Sequence, residues 1–344
     1  MATETASADK GNCIAWDGPL DRDGIQLCPT LPANGPWALT RCAFQQATSF
    51  HAPTQQEKQN MQNLVKALKA HDAPNILNYS SALNLRVCRV KKFDDNKKLT
   101  DSYLVLATKP GVKNYSGPFI YFRELNPSNY VFFIPHDGTD GTCPSIEQVF
   151  DRTNTSVAIA NGSPRDLSTQ IGPCTTHRPI SDIAHNTNNL AWTAHKAFTE
   201  DPDTMEIEFH GMKGTQGGEA PKGVGMIITN GLGRQAGPNT LLYAFATAIK
   251  NRFSNRDQAF LDTLSVCAPG TPLKYAQKCA LRDTWVQGRD LNGSPNPQCS
   301  GSVNMSNRFV GFEQGQKLVQ DPGVMTPVIK ELEQTYPKPI RAGM

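Results

Sequence analysis

The sequence predicts an α/β fold: a mostly parallel, mixed central sheet with flanking helices, antiparallel strands on its N-terminal side, and an irregular cysteine-bearing N-terminal segment. Three observations predict it. From residue 130 onward, short apolar runs alternate with helical windows, the rhythm of βα units. Between residues 83 and 125, three β-rich runs follow one another across turn signals. Before residue 50 the chain is rich in Gly, Pro and Cys and nearly free of periodicity. At 344 residues the chain can bury a large core. The expectation is one α/β domain over 51–344, with 1–50 packed on it as a loop-dominated segment.

Taken in order, TQQEKQNMQNLVKALKAHDA places Met61, Leu64, Val65 and Leu68 on one face and predicts an amphipathic helix. LNLRVCRVKKF, DSYLVLATKPG and GPFIYFREL follow as antiparallel strands. The later strands are YVFFIPH, TSVAIANG, MEIEFHG, GVGMIITNG and RFVGFEQG. Between and after them SIEQVFDR, NNLAWTAHKAFTE, NTLLYAFATAIKNRF and VMTPVIKELEQTY read as helices. There is no internal repeat.

Composition narrows the function classes. Lys and Arg total 34 against 31 acidic residues, and a net charge of +3 with no basic run argues against a nucleic-acid partner. No apolar stretch approaches the roughly 18 residues of a membrane helix, and the first residues lack the apolar run of a signal peptide. The nine cysteines include no CxxC and no zinc-finger spacing, so disulfides or isolated thiols are expected rather than a cysteine metal site, with at least one cysteine free or bonded to another chain. Sequons at Asn78, Asn114, Asn154, Asn292 and Asn304 agree with a secreted, glycosylated protein.

Ligands of open α/β sheets lie beyond the carboxyl ends of the strands. Here those ends carry His136, Asn161, His210, Asn230 and Glu313. His136 and Asp140, separated by Gly138, offer a nitrogen and an oxygen donor to one zinc ion. The same residues also suit a turn in which Asp137 and Asp140 accept backbone N–H bonds. His210 ends MEIEFHG with a glycine behind it and supplies a second imidazole. In SDIAHN, Asp182 and His185 share one face of a helical turn, as a ligand with its orienting partner or as a substrate clamp. Ser181 also suits a helix N-cap there. Glu313 ends RFVGFEQG, a place for the general base of a metal-activated water.

Arg165 in NGSPRD and Arg289 in QGRDLNGS lie in loops where a guanidinium can fork onto a substrate carboxylate, and Asn292 can add a polar contact. His177 and His195 are expected to be structural. No GxSxG elbow, P-loop or strand-linked GxGxxG is present. Cys143 is an alternative nucleophile only if the cysteines are reduced.

The order strand-His, acid, strand-His, late strand-Glu resembles the zinc carboxypeptidase superfamily. FIPHDGTDGT, SDIAHN and IEFHGM look similar to the bacterial zinc hydrolases related to N-formylglutamate amidohydrolase and to phage poly-γ-glutamate hydrolase. The resemblance spans roughly residues 100 to 320 by order of elements. It implies zinc on His136, Asp140 and His210, with Glu313 as base. One departure stands out: carboxypeptidases carry HxxE, whereas here Thr139 fills that place and the acid is Asp140, so His185 is the alternative ligand. The implied function is zinc-dependent hydrolysis of an amide bond in a small peptide or acyl-amino acid bearing a carboxylate. The competing expectation is a non-catalytic secreted or particle-associated structural protein that retains the fold.

Overall fold

The computed structural model describes residues 18–28, 48–109, 112, 117–136, 143–161, 164–212, 226–232, 238–253, 264–266, 285–302, 304, 306–315 and 322–337. Within them the strands are β1 (Gln26–Leu27), β2 (Leu85–Phe93), β3 (Leu99–Thr108), β4 (Phe119–Arg123), β5 (Tyr130–Ile134), β6 (Val157–Ala160), β7 (Met205–Met212), β8 (Met226–Thr229), β9 (Leu264–Val266) and β10 (Phe309–Gly315). They form one sheet in the order β1-β2-β3-β4-β6-β5-β7-β10-β8-β9. β2, β3, β4 and β6 pair antiparallel in succession, which is the antiparallel N-terminal side expected from the early runs. β6, β5, β7 and β10 are parallel, and β8 runs against β10. The sheet is therefore mixed, with its parallel stretch at the centre.

The helices are α1 (Gln55–Lys69), α2 (Ala73–Ala82), α3 (Cys143–Arg152), α4 (Leu190–Phe198), α5 (Leu241–Phe253), α6 (Val286–Leu291) and α7 (Pro322–Thr335). Two of these, α2 and α6, are not anticipated by the sequence periodicity. α2 buries only Ile76 and Ser80 and begins on a local signal, Asp72 accepting the Asn75 N–H with Pro74 in the first turn. α6 has six residues, too few for a period to show. No described helix is long and apolar enough to cross a membrane.

Alternation along the central strands sends side chains to two cores. Phe132, Phe209 and Phe312 pack with α3, α5 and α7 on one face. Val131 and Phe133 pack with α1 and α4 on the other. Both faces are covered, so a side chain of either parity is removed from water. α1 starts on a reciprocal cap: Thr54 Oγ1 accepts the Glu57 N–H at 3.2 Å, and Glu57 Oε2 accepts the Thr54 N–H at 2.7 Å. Thr54→Ala is expected to lower stability by about 1 kcal/mol, read as a drop in the urea midpoint at constant slope.

Residues 18–28 lie against the sheet edge. β1 pairs with β2, Cys28 is disulfide-bonded to Cys88, and the Arg89 guanidinium binds Asp21, Asp23 and, bidentately, Glu124. Residues 1–17 and 29–47 of the irregular segment, including Cys13 and Cys42, fall outside the described residues, as do Cys267 and Cys279.

The chain order across the parallel strands positions the site. β5 is followed by α3 and β6 on one side; the chain then passes through α4, on the opposite face, to β7 on the other side of β5. That reversal makes a crevice beyond the ends of β5 and β7, where ligands of such sheets collect. His136 follows β5, and His210 lies near the carboxyl end of β7.

Candidate functional site

Both strand-end histidines are buried, at 3 % and 2 % exposure, and their ring centroids stand 4.9 Å apart, edge to face. His136 Nε2 donates to Asp182 Oδ1 at 2.7 Å. The outer oxygen of that carboxylate lies 3.6 Å from Arg178 Nη1. Burial alone would disfavour the Asp182 anion. His136, His185 and Arg178 outweigh it and hold the carboxyl well below the ordinary range.

Asp182 sits in a segment without helix or strand, so its position depends on ties. His185 N–H closes a single turn onto Asp182 O at 3.0 Å. Ser181 is no helix cap: its hydroxyl donates to Arg165 O at 2.7 Å and accepts the Ser168 N–H at 3.0 Å. Gln298 accepts the Thr187 N–H at 2.6 Å and donates to His185 O at 2.5 Å, next to the Cys174–Cys299 disulfide.

His210 shares one face of β7 with Glu206 and Glu208, because alternate residues of a strand point the same way. Its Nε2 is hydrogen-bonded to Glu208 Oε1 at 2.8 Å. In the neighbouring strand Glu313 is level with His210, and Gly311 with Glu208. Glu206 and Glu208 are fully buried. Burial, then the Glu206, Glu313 and Asp182 carboxylates, push the Glu208 carboxyl well above its usual range. Several acids are thus crowded around two imidazoles.

A third buried histidine shows what a purely structural imidazole looks like here. His195 on α4 has Nδ1 at 2.5 Å from Glu206 Oε2 and Nε2 at 3.4 Å from Asp290 Oδ2. Nδ1 is bonded to Glu206, and Nε2 faces Asp290 without completing a hydrogen bond. His177 is exposed in its loop, as expected.

No protein-family model matches, and no curated protein matches. Among solved structures, the chain is similar to N-formylglutamate amidohydrolase from Ralstonia eutropha JMP134, at 10% identity and a TM-score of 0.36, over 66% of this chain and 99% of that one. The likeness assigns no residue a role.

The remaining candidates divide. Asp140 lies outside the described residues. Among those described, no three of His, Cys, Asp or Glu are grouped to hold a metal ion. His185, the alternative ligand, is half-buried beside Asp182. Arg165 is half-buried, its backbone is tied to Ser181, and among the described residues its guanidinium has no hydrogen-bond or ion-pair partner. Arg289 lies in α6 rather than a loop and donates from Nη1 to Pro297 O at 3.2 Å. Asn292 is 2 % exposed; its Nδ2 donates to Asn230 O at 2.9 Å and its Oδ1 accepts the Ser306 N–H at 3.0 Å. That amide has a structural use, and its burial leaves no room for a glycan. The Cys143 side chain and the Asn114 sequon lie outside the described residues.

Sequence reasoning missed Glu208, Arg178, Gln298 and Trp285. Only Glu208 had a signal: an acid at every second place of an otherwise apolar strand, MEIEFHG, which shows a face that is polar for a reason.

Proposed function

We propose that this protein is a zinc-dependent hydrolase of an amide bond in a small peptide or acyl-amino acid bearing a carboxylate. The observation that carries the reading is the pair of buried imidazoles at adjacent strand ends, each tied through Nε2 to the carboxyl group of a buried acid. Metal-binding histidines are commonly oriented in this way, the second nitrogen being held by a carboxylate. His136 and His210 would hold zinc through Nδ1; no third donor is grouped with them among the described residues, and Asp140, which lies outside those residues, would complete the set.

Bound there, zinc supplies Lewis-acid polarisation of the scissile carbonyl and acidifies water. The chain's own residues do the rest. Asp182 and Glu208 orient the two rings. Glu313, level with His210, accepts a proton from the attacking water as the C–O bond forms and passes it to the departing nitrogen as the C–N bond breaks. Arg165, half-buried near the Asp182 turn and without a partner among the described residues, receives the substrate carboxylate. Arg178 keeps the outer Asp182 oxygen in place. Secretion belongs to the same proposal and is supported by the Cys28–Cys88 and Cys174–Cys299 disulfides.

Metal analysis after incubation with zinc tests the reading. Wild type is expected to carry stoichiometric zinc, and His136→Ala and His210→Ala are expected to lose it while still melting cooperatively. Wild type without zinc would overturn the proposal. Zinc without hydrolysis of any member of a panel of acyl-amino acids and short peptides would assign the chain to the non-catalytic alternative.

A further inference from the structure

The indole of Trp285 lies flat against the His210 imidazole, with centroids 4.2 Å apart and planes 14° from parallel. Behind it is β10 at Gly311. A Cβ at that position would fall 2.0 Å from Trp285 Cζ3 and 2.7 Å from Cε3. The indole therefore occupies the space that any other residue at 311 would fill with its own side chain. Phe309 meets the indole edge-on at 6.4 Å and is itself seated on Gly288, where a Cβ would come within 2.7 Å of the ring. Trp285 is 2 % exposed.

The same indole is tied to the Asp182 turn. Val286 N–H donates to Ala184 O at 2.9 Å, and Gln287 Nε2 donates to Ile183 O at 3.2 Å. The two residues after Trp285 thus hold the two residues after Asp182. A single frame carries the plate behind His210 and the carboxylate on His136.

We propose that Trp285 is a positioning residue for His210, fixing the plane of the imidazole and hence the direction of its lone pair toward a metal ion, and that glycine at 311 is what admits it. The inference rests on the reading of His210 as a zinc ligand. The covalent bond at Cγ and the Nε2 hydrogen bond to Glu208 leave the ring freedom to tilt, and a parallel aromatic plate narrows that tilt. A core residue serving only as filler would tolerate leucine in this place with no effect on metal binding.

Zinc affinity, measured by competition with a chromophoric chelator, tests the proposal on wild type, Trp285→Phe, Trp285→Leu and Gly311→Ala, with a melting curve for each. Trp285→Phe keeps an aromatic plate and is expected to bind within about threefold of wild type, whereas Trp285→Leu and Gly311→Ala are expected to bind about 10- to 100-fold more weakly. Zinc is also expected to change the tryptophan emission of wild type but not that of Trp285→Phe, which still binds it. Wild-type affinity in a folded Trp285→Leu overturns the proposal. If the leucine variant fails to fold, Gly311→Ala decides: wild-type affinity in that variant, folded, overturns the proposal. Wild type that takes up no zinc removes the underlying reading itself. Zinc lost in His210→Ala but unchanged in Trp285→Leu removes only the positioning role.

Discussion

Glu313→Gln is expected to lower amide hydrolysis by about 10²- to 10⁴-fold while leaving the fold and zinc uptake intact. The substitution keeps size and hydrogen-bonding shape and deletes the one property a general base needs, an accepting carboxylate. Glu313 is level with His210 across the β7–β10 ladder and is 6 % exposed, so no bulk water reaches it freely to substitute for the lost base. The fall should lie in kcat rather than KM, because the proton moves only in the transition state. Turnover of an acyl-amino acid or peptide substrate, with zinc content measured on the same sample, checks it. Undiminished kcat in the glutamine variant would remove Glu313 from the chemistry.

His195→Ala is expected to destabilise the protein by about 3–5 kcal/mol, since deleting one partner of a buried ionic group strands the others. Glu206 is fully buried, and Asp290 is 12 % exposed. Burial by itself would lower the His195 imidazole. The Glu206 and Asp290 carboxylates outweigh it and raise it to about 9. The sign follows from linkage: the folded value lies above the ordinary imidazole value of 6.5, so the contribution is complete below about 6.5 and is lost as pH rises through about 9. The gap in urea midpoint between wild type and His195→Ala should therefore be widest near pH 6 and narrow by pH 10. A gap independent of pH would mean that His195 acts by packing against Phe133 and Trp192 alone.

Much of the architecture was legible because it is written locally. The runs YVFFIPH, TSVAIANG, MEIEFHG and RFVGFEQG became β5, β6, β7 and β10, since a short apolar run bounded by turn residues has few other uses. The strand-end positions of His136, His210 and Glu313 followed from the same pattern. α2 and α6 were not legible, because one buries little and the other is shorter than two helical turns.

What the sequence by itself determined, then, is which side chains stand at strand ends and which alternate along them: periods of two and 3.6 are properties of neighbouring residues. Tertiary structure decided what those side chains meet. Asp182 reaches His136 across 46 positions only because a disulfide and Gln298 shape its loop. The acids of MEIEFHG alternate as though one face were open to water; sheet order and the α4 and Trp285 segments close that face and turn them into buried partners of His195 and His210. Burial of a polar face is set by what packs over it, and no local period records that.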